Sequence, residues 1–240
     1  MKRKSLRFKY IFEFSDVPRI EYELVIDAAS LSLAGETCGS PPLWTRLEYR
    51  KCACCTLEKD RYPFCPIALN LVDLIETFKD VSSYRDCKVT CIAAERAYSK
   101  NTSAMEGLTS IFGVIMATSN CPVMSFFRPM ARFHLPFSTI EETMVRVTSL
   151  YMLQQLLKAR AGLEADPGDL RPLEAQYRKV EQVNQGLLAR IKGQARQDAD
   201  KNAIVTLHSL AQFLSMEFDY NLDFLTNILP WSGQTGDGCQ

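Results

Sequence analysis

Leu6-Arg7-Phe8-Lys9-Tyr10-Ile11-Phe12-Glu13-Phe14, followed after five residues by Ile20-Glu21-Tyr22-Glu23-Leu24-Val25-Ile26-Asp27, decides the fold class. In the first run Leu6, Phe8, Tyr10, Phe12 and Phe14 share one side, and Arg7, Lys9 and Glu13 the other. In the second, Ile20, Tyr22, Leu24 and Ile26 oppose Glu21, Glu23 and Asp27. Period-two alternation of aromatic and β-branched residues marks half-buried strands. Ser15-Asp16-Val17-Pro18-Arg19 has turn chemistry, so the runs form an antiparallel hairpin. Its outer face sets a basic strand against an acidic one, which favours this pairing.

Working outward, residues 87–94 read as a third strand, with Cys87, Val89 and Cys91 on one side. Pro66 suits a first helical position and opens a helix to about Phe78, which leaves Cys65 at its N-cap. A further helix is expected over 103–117, ended by Ser119-Asn120. Ser138 with Glu141 and Thr139 with Glu142 offer overlapping capping boxes for a helix to about Ala161. From Pro172, the stripe Leu173, Tyr177, Val180, Asn184, Leu187 and Ile191 repeats at coiled-coil spacing. A last helix from about Asp198 carries Ile204, Leu207, Ala211, Leu214, Phe218 and Leu225, and pairs antiparallel with its predecessor. Asn184 interrupts an apolar stripe. It is expected to hydrogen-bond inside the bundle, as a register device or as part of a polar pocket.

The fold class is therefore α+β: a small antiparallel sheet, the N-terminal hairpin plus a third strand, packed by helices, with a helical C-terminal half. Residues 1–230 read as one domain, with 162–171 as the place for any sub-boundary and 231–240 as a disordered tail. Lys+Arg and Asp+Glu both total 28, so no global positive field exists to hold a phosphate backbone. The basic cluster Lys2, Arg3, Lys4, Arg7 and Lys9 reads as a solvated leading strand. No signal peptide and no bilayer-spanning apolar run is visible. These readings exclude nucleic-acid and membrane partners, leave a protein partner open, and place the chain in the cytoplasm.

The densest chemistry is Lys51-Cys52-Ala53-Cys54-Cys55, followed by Cys65-Pro66 and, downstream, Cys121-Pro122 and His134. Nine cysteines is an odd number, and in a reducing compartment clustered thiols bind metal more often than they form disulfides. Cys52-x-x-Cys55 brings two thiolates within reach of one ion. Cys65 and Cys121 complete four ligands, with His134 as the substitute ligand. Cys54 is expected to point elsewhere. Both Cys-Pro pairs place a thiol at a helix N-terminus, where the dipole favours thiolate. The cofactor is an iron–sulfur cluster or zinc, since Cys followed by Pro suits the former and closed four-cysteine sites the latter. The bland reading is that cysteines are small buried hydrophobes. It is preferred for Cys38, Cys87, Cys91 and Cys239.

No phosphate-binding glycine loop, nucleophile elbow or His-Glu-x-x-His is present, and two histidines in the chain leave little for acid–base catalysis. The leading function is thus non-enzymatic: a cysteine-ligated centre that is structural or redox-sensing. A redox enzyme or electron carrier using the same cysteines is the first alternative. A metal-free helical protein–protein interaction domain is the second.

Cys52-x-x-Cys55, Cys65-Pro66, Ser119-Asn120-Cys121-Pro122, Phe133-His134-Leu135-Pro136-Phe137 and Glu141-Glu142-Thr143 together resemble a bacterial family of uncharacterised proteins, a domain of unknown function. The resemblance implies a one-domain bacterial cytoplasmic protein and carries no activity.

Overall fold

The computed structural model describes residues 5–34, 40–192, 198–219 and 223–229. Lys2, Arg3, Lys4, Cys38 and the tail from 231 to Cys239 lie outside these residues. Strands β1 (Ser5–Glu13) and β2 (Ile20–Asp27) form the expected hairpin. Arg7 reaches Glu23 at 3.2 Å and Lys9 reaches Glu21 at 2.7 Å. The register sets Lys9 opposite Glu23, so these ion pairs run diagonally rather than straight across.

β3 (Asp86–Ile92) joins the other edge of β1, and β4 (Ala97–Ser103) closes the antiparallel order β2-β1-β3-β4. β4 has no counterpart in the sequence reading. Its Ala-Tyr-Ser-Lys-Asn-Thr-Ser run is largely exposed at a sheet edge, so burial never imposed an alternating pattern on it. The inner face of the sheet is Phe8, Tyr10, Phe12, Leu24, Ile26, Cys87, Val89 and Cys91, all buried, as the packing reading of Cys87 and Cys91 expected.

Helices α1 (Pro66–Phe78) and α2 (Ala104–Thr118) belong to this same apolar core. Gly107 lets α2 approach the sheet: a Cβ there would come within 2.5 Å of the Phe12 ring. A short α3 (Arg128–Arg132) leads to α4 (Ile140–Arg160). Thr139 and Glu142 cap α4 reciprocally, whereas Ser138 contacts the Thr143 hydroxyl instead of forming the second expected box.

α5 (Arg171–Ile191) and α6 (Ala199–Asp219) pack closely together. The connection through 192–198 is too short to run back along a 21-residue helix, so they lie antiparallel. α6 also packs on α2, which joins the helical half to the sheet half. Leu225, expected on the last helix, lies on α7 (Asp223–Ile228), and the residues 220–222 between α6 and α7 lie outside those described.

Candidate functional site

α5 is the element on which the candidate chemistry converges, and it does so on two faces. One face is the stripe Gln176, Lys179, Val183, Gly186 and Arg190; the other is Tyr177, Val180 and Asn184. The first face receives the cysteine loop. That loop is closed at its base by the Arg46–Phe64 bridge and by Cys65 N–H donating to the Thr45 carbonyl at 2.8 Å. Cys55 N–H donates to the Cys52 carbonyl at 3.0 Å, which folds the Cys-x-x-Cys turn.

Cys52 lies flat on α5. Its thiol donates weakly to the Val183 carbonyl at 3.9 Å, and a Cβ on Gly186 would sit 2.6 Å from its sulfur. Gly186 is therefore the residue that admits Cys52. Cys54 also faces α5, 3.5 Å from the Lys179 carbonyl, rather than pointing away as expected. Gln176 donates to the Val123 carbonyl at 2.6 Å, which ties the turn after Cys121 to the same stripe. Arg190, 1% exposed, anchors the far end by donating to the carbonyls of Trp44 (2.9 Å), Arg46 (2.6 Å) and Leu47 (2.7 Å).

The four expected ligands thus come from three chain segments into electrostatic reach of one another. Cys52 feels Cys65 and Cys121, and Cys121 feels Cys65 and Cys55. Among the described residues, however, no three Cys, His, Asp or Glu side chains are grouped closely enough to hold a metal ion. Cys65 is the N-cap of α1, as expected, but Cys121 precedes a turn and a 3₁₀ segment (Met124–Phe127) rather than a helix. The N–H groups of Met124 and Val123 do aim at the Cys121 sulfur. Burial outweighs them and pushes that thiol up to about 11, and burial pushes Cys52 up to about 12. The expected thiolate at Cys121 is corrected on this ground: desolvation penalises the anion more than two N–H groups favour it.

His134 sits elsewhere. Its Nε2 and the Tyr10 hydroxyl share a hydrogen bond at 2.5 Å, and its ring meets Phe8 edge-on at 5.1 Å between centroids. The ring is half-buried and crowded by protein. Burial, with a smaller push from Arg146, holds its pKa down at about 3, so the ring is neutral near pH 7. Its remaining surface faces a cavity of about 750 Å³.

That cavity lies between α2, α3, α4, α5 and α6 and has a predominantly apolar wall. Four methionines, Met105, Met116, Met124 and Met130, line it. Methionine is unbranched and polarizable, a lining that adapts to the shape of an apolar guest. Asn184 stands in the wall at 1% exposure, which confirms the helix phase. Yet neither its Oδ1 nor its Nδ2 has a hydrogen-bond partner among the described residues. The expected hydrogen bond within the bundle is thus not found among the described residues: Asn184 is buried as expected, but in a mainly apolar wall that offers its amide no partner. Gly113 also lines the cavity, and a Cβ added there would meet nothing within 4 Å.

The fold and this cavity define an α+β domain with a binding-sized chamber in its helical layer. Residues 8–228 match the family described as Domain of unknown function (DUF6901), and the chain belongs to that family. No curated protein and no solved structure matches it. Among the described residues, no helix is long and apolar enough to cross a membrane.

Proposed function

We propose that this domain binds a small, largely apolar molecule in the cavity between its helices. The observation that carries the reading is the buried amide of Asn184, unpartnered in the wall of a 750 Å³ apolar chamber. An unsatisfied buried polar group costs about 1–3 kcal/mol, and a guest that bonds to it recovers that cost. The volume lies within the range of about 300–1,000 Å³ typical of small-molecule sites.

Gly113 supplies the test, since it faces open space on an α-helix. Gly113→Ala is expected to raise stability by about 0.5–1 kcal/mol through backbone entropy alone. Gly113→Phe is expected to fold, fill the chamber, and lose binding of an apolar fluorescent dye such as 1-anilinonaphthalene-8-sulfonate. Dye binding that survives Gly113→Phe in a folded protein would place the dye elsewhere and remove the support.

A second reading is favoured by the electrostatic coupling of Cys52 with Cys65 and Cys121, and of Cys121 with Cys55 and Cys65. In this reading the four thiols draw together on zinc or an iron–sulfur cluster, as a structural or redox-sensing centre. Buried thiols with raised pKa values must release protons to ligate, so zinc affinity should rise steeply with pH. Anaerobically purified protein is expected to carry one centre per chain, colourless with one zinc or brown with the several irons of a cluster, and to lose it in Cys52→Ser. Metal-free protein that also takes up no added zinc would return these cysteines to packing.

A further inference from the structure

The charged residues of the cavity wall say which class of molecule fits, given that the cavity is the binding site. Glu106 is engaged by Lys100 and by the Thr102 hydroxyl, so its charge is matched. Arg146 has no such contact partner among the described residues. It lines the cavity from α4, and among the described residues no carboxylate lies within ion-pair distance of it. Its neighbour one turn earlier, Glu142, is held by the Thr139 N–H and attracts the guanidinium without pairing with it. One guanidinium N–H donates to the Phe133 carbonyl at 2.8 Å, beside a phenyl ring that is 67% exposed. That position sets the cation at the rim of the chamber rather than in its depth.

The other ionisable groups near Arg146 leave its charge standing. His134 is neutral near pH 7. The Tyr177 hydroxyl, on α5, is held protonated by burial, while the guanidinium pulls the other way. Burial in turn lowers the pKa of Arg146 itself, which records a cation short of solvent. A planar guanidinium with free N–H groups is the side chain best shaped to take a carboxylate on two parallel bonds.

We infer that the cavity takes an apolar monocarboxylic acid, its carboxylate on Arg146 at the rim and its hydrocarbon body among the methionines. The arrangement leaves the ligand's charge partly hydrated and its apolar part dry, so neither end is desolvated without return. Asn184 stands two turns of α5 beyond Tyr177, roughly 10 Å further along the helix, and offers a second bond to any oxygen carried on the chain.

Decanoate and decan-1-ol, which share one hydrocarbon body and differ in head group, test this by calorimetric titration of the full chain near pH 7. Decanoate is expected to bind at least about tenfold tighter than decan-1-ol, the size of one charge-assisted hydrogen bond. Arg146→Gln is expected to abolish that preference while decan-1-ol binding stays unchanged, and Gly113→Phe to weaken both. Unfolding midpoints of each variant show that the fold is kept. Equal binding of the two probes, or a preference that survives Arg146→Gln, overturns the carboxylate assignment and leaves the cavity reading intact. Failure of both probes to bind overturns the two together.

Discussion

Arg190→Leu is expected to cost about 3–5 kcal/mol of folding stability, out of a total of order 5–15 kcal/mol for a domain. The wild-type guanidinium is the largest of the fully buried side chains and donates to three carbonyls that terminate the 3₁₀ turn at Leu43–Thr45. Leucine fills part of the volume but leaves the carbonyls of Trp44 and Leu47 without this donor, while the Arg46 carbonyl keeps the Tyr49 N–H at 3.1 Å. Each orphaned acceptor costs about 1–3 kcal/mol, less where water can enter. Arg190→Lys recovers little, because one ammonium cannot span three acceptors in a fixed fork. Urea unfolding followed by circular dichroism measures the loss. Trp44 fluorescence, in a Trp231→Phe background, reports whether the cysteine loop detaches first. A loss below about 1 kcal/mol would mean that the clamp is dispensable.

That clamp was not legible in the sequence, and the reason is physical. An arginine among coiled-coil positions ordinarily reads as a solvated flank, since its stem can cover apolar surface while its head stays wet. Nothing in the sequence showed that the stripe holding Gly186 and Arg190 meets the cysteine loop, because the two are more than a hundred residues apart in the chain. The hairpin was legible for the opposite reason: a sheet buried on one face forces every second residue of β1 and β2 to be apolar. β4 escaped the same reasoning because both its faces stay largely wet. Asn184 was legible as an anomaly in an apolar stripe, but the cavity around it was not. Its wall is drawn from five helices, and no local pattern records the space between elements that meet only in three dimensions.

The cysteines show how far spacing alone can reach. Of the cysteine loop, Cys52 and Cys54 meet α5, and α5 also holds the loop base through Arg190 and the turn after Cys121 through Gln176. What spacing could not supply was the balance between helix-terminal N–H groups and burial, which falls toward the neutral thiol at Cys121. A thiol that donates to a carbonyl, as Cys52 does to Val183, is also a stable packing element in its own right. α5 therefore carries two separable roles. One stripe staples the N-terminal loop to the helical layer, and the next lines the chamber.

Asn184→Leu separates structure from binding on the second stripe. Leucine is close to asparagine in shape and brings no polar atom, and the site is 1% exposed. Removing two unpartnered amide atoms relieves about 1–3 kcal/mol each, part of which relaxation in the wild type has already recovered. A net gain of about 2–4 kcal/mol is expected, which raises the melting temperature by several degrees in a chain of this length. The sign decides the matter. A polar residue kept for the fold destabilises when replaced, because its partners are orphaned; one kept for a ligand stabilises when replaced, because nothing in the free protein bonds to it. The same variant should weaken any guest that places an oxygen against Asn184, by up to about tenfold, while leaving a guest without that oxygen unaffected. Thermal unfolding without ligand is the first measurement. A fall in melting temperature would show that Asn184 holds the bundle together, and the amide would no longer speak for a ligand.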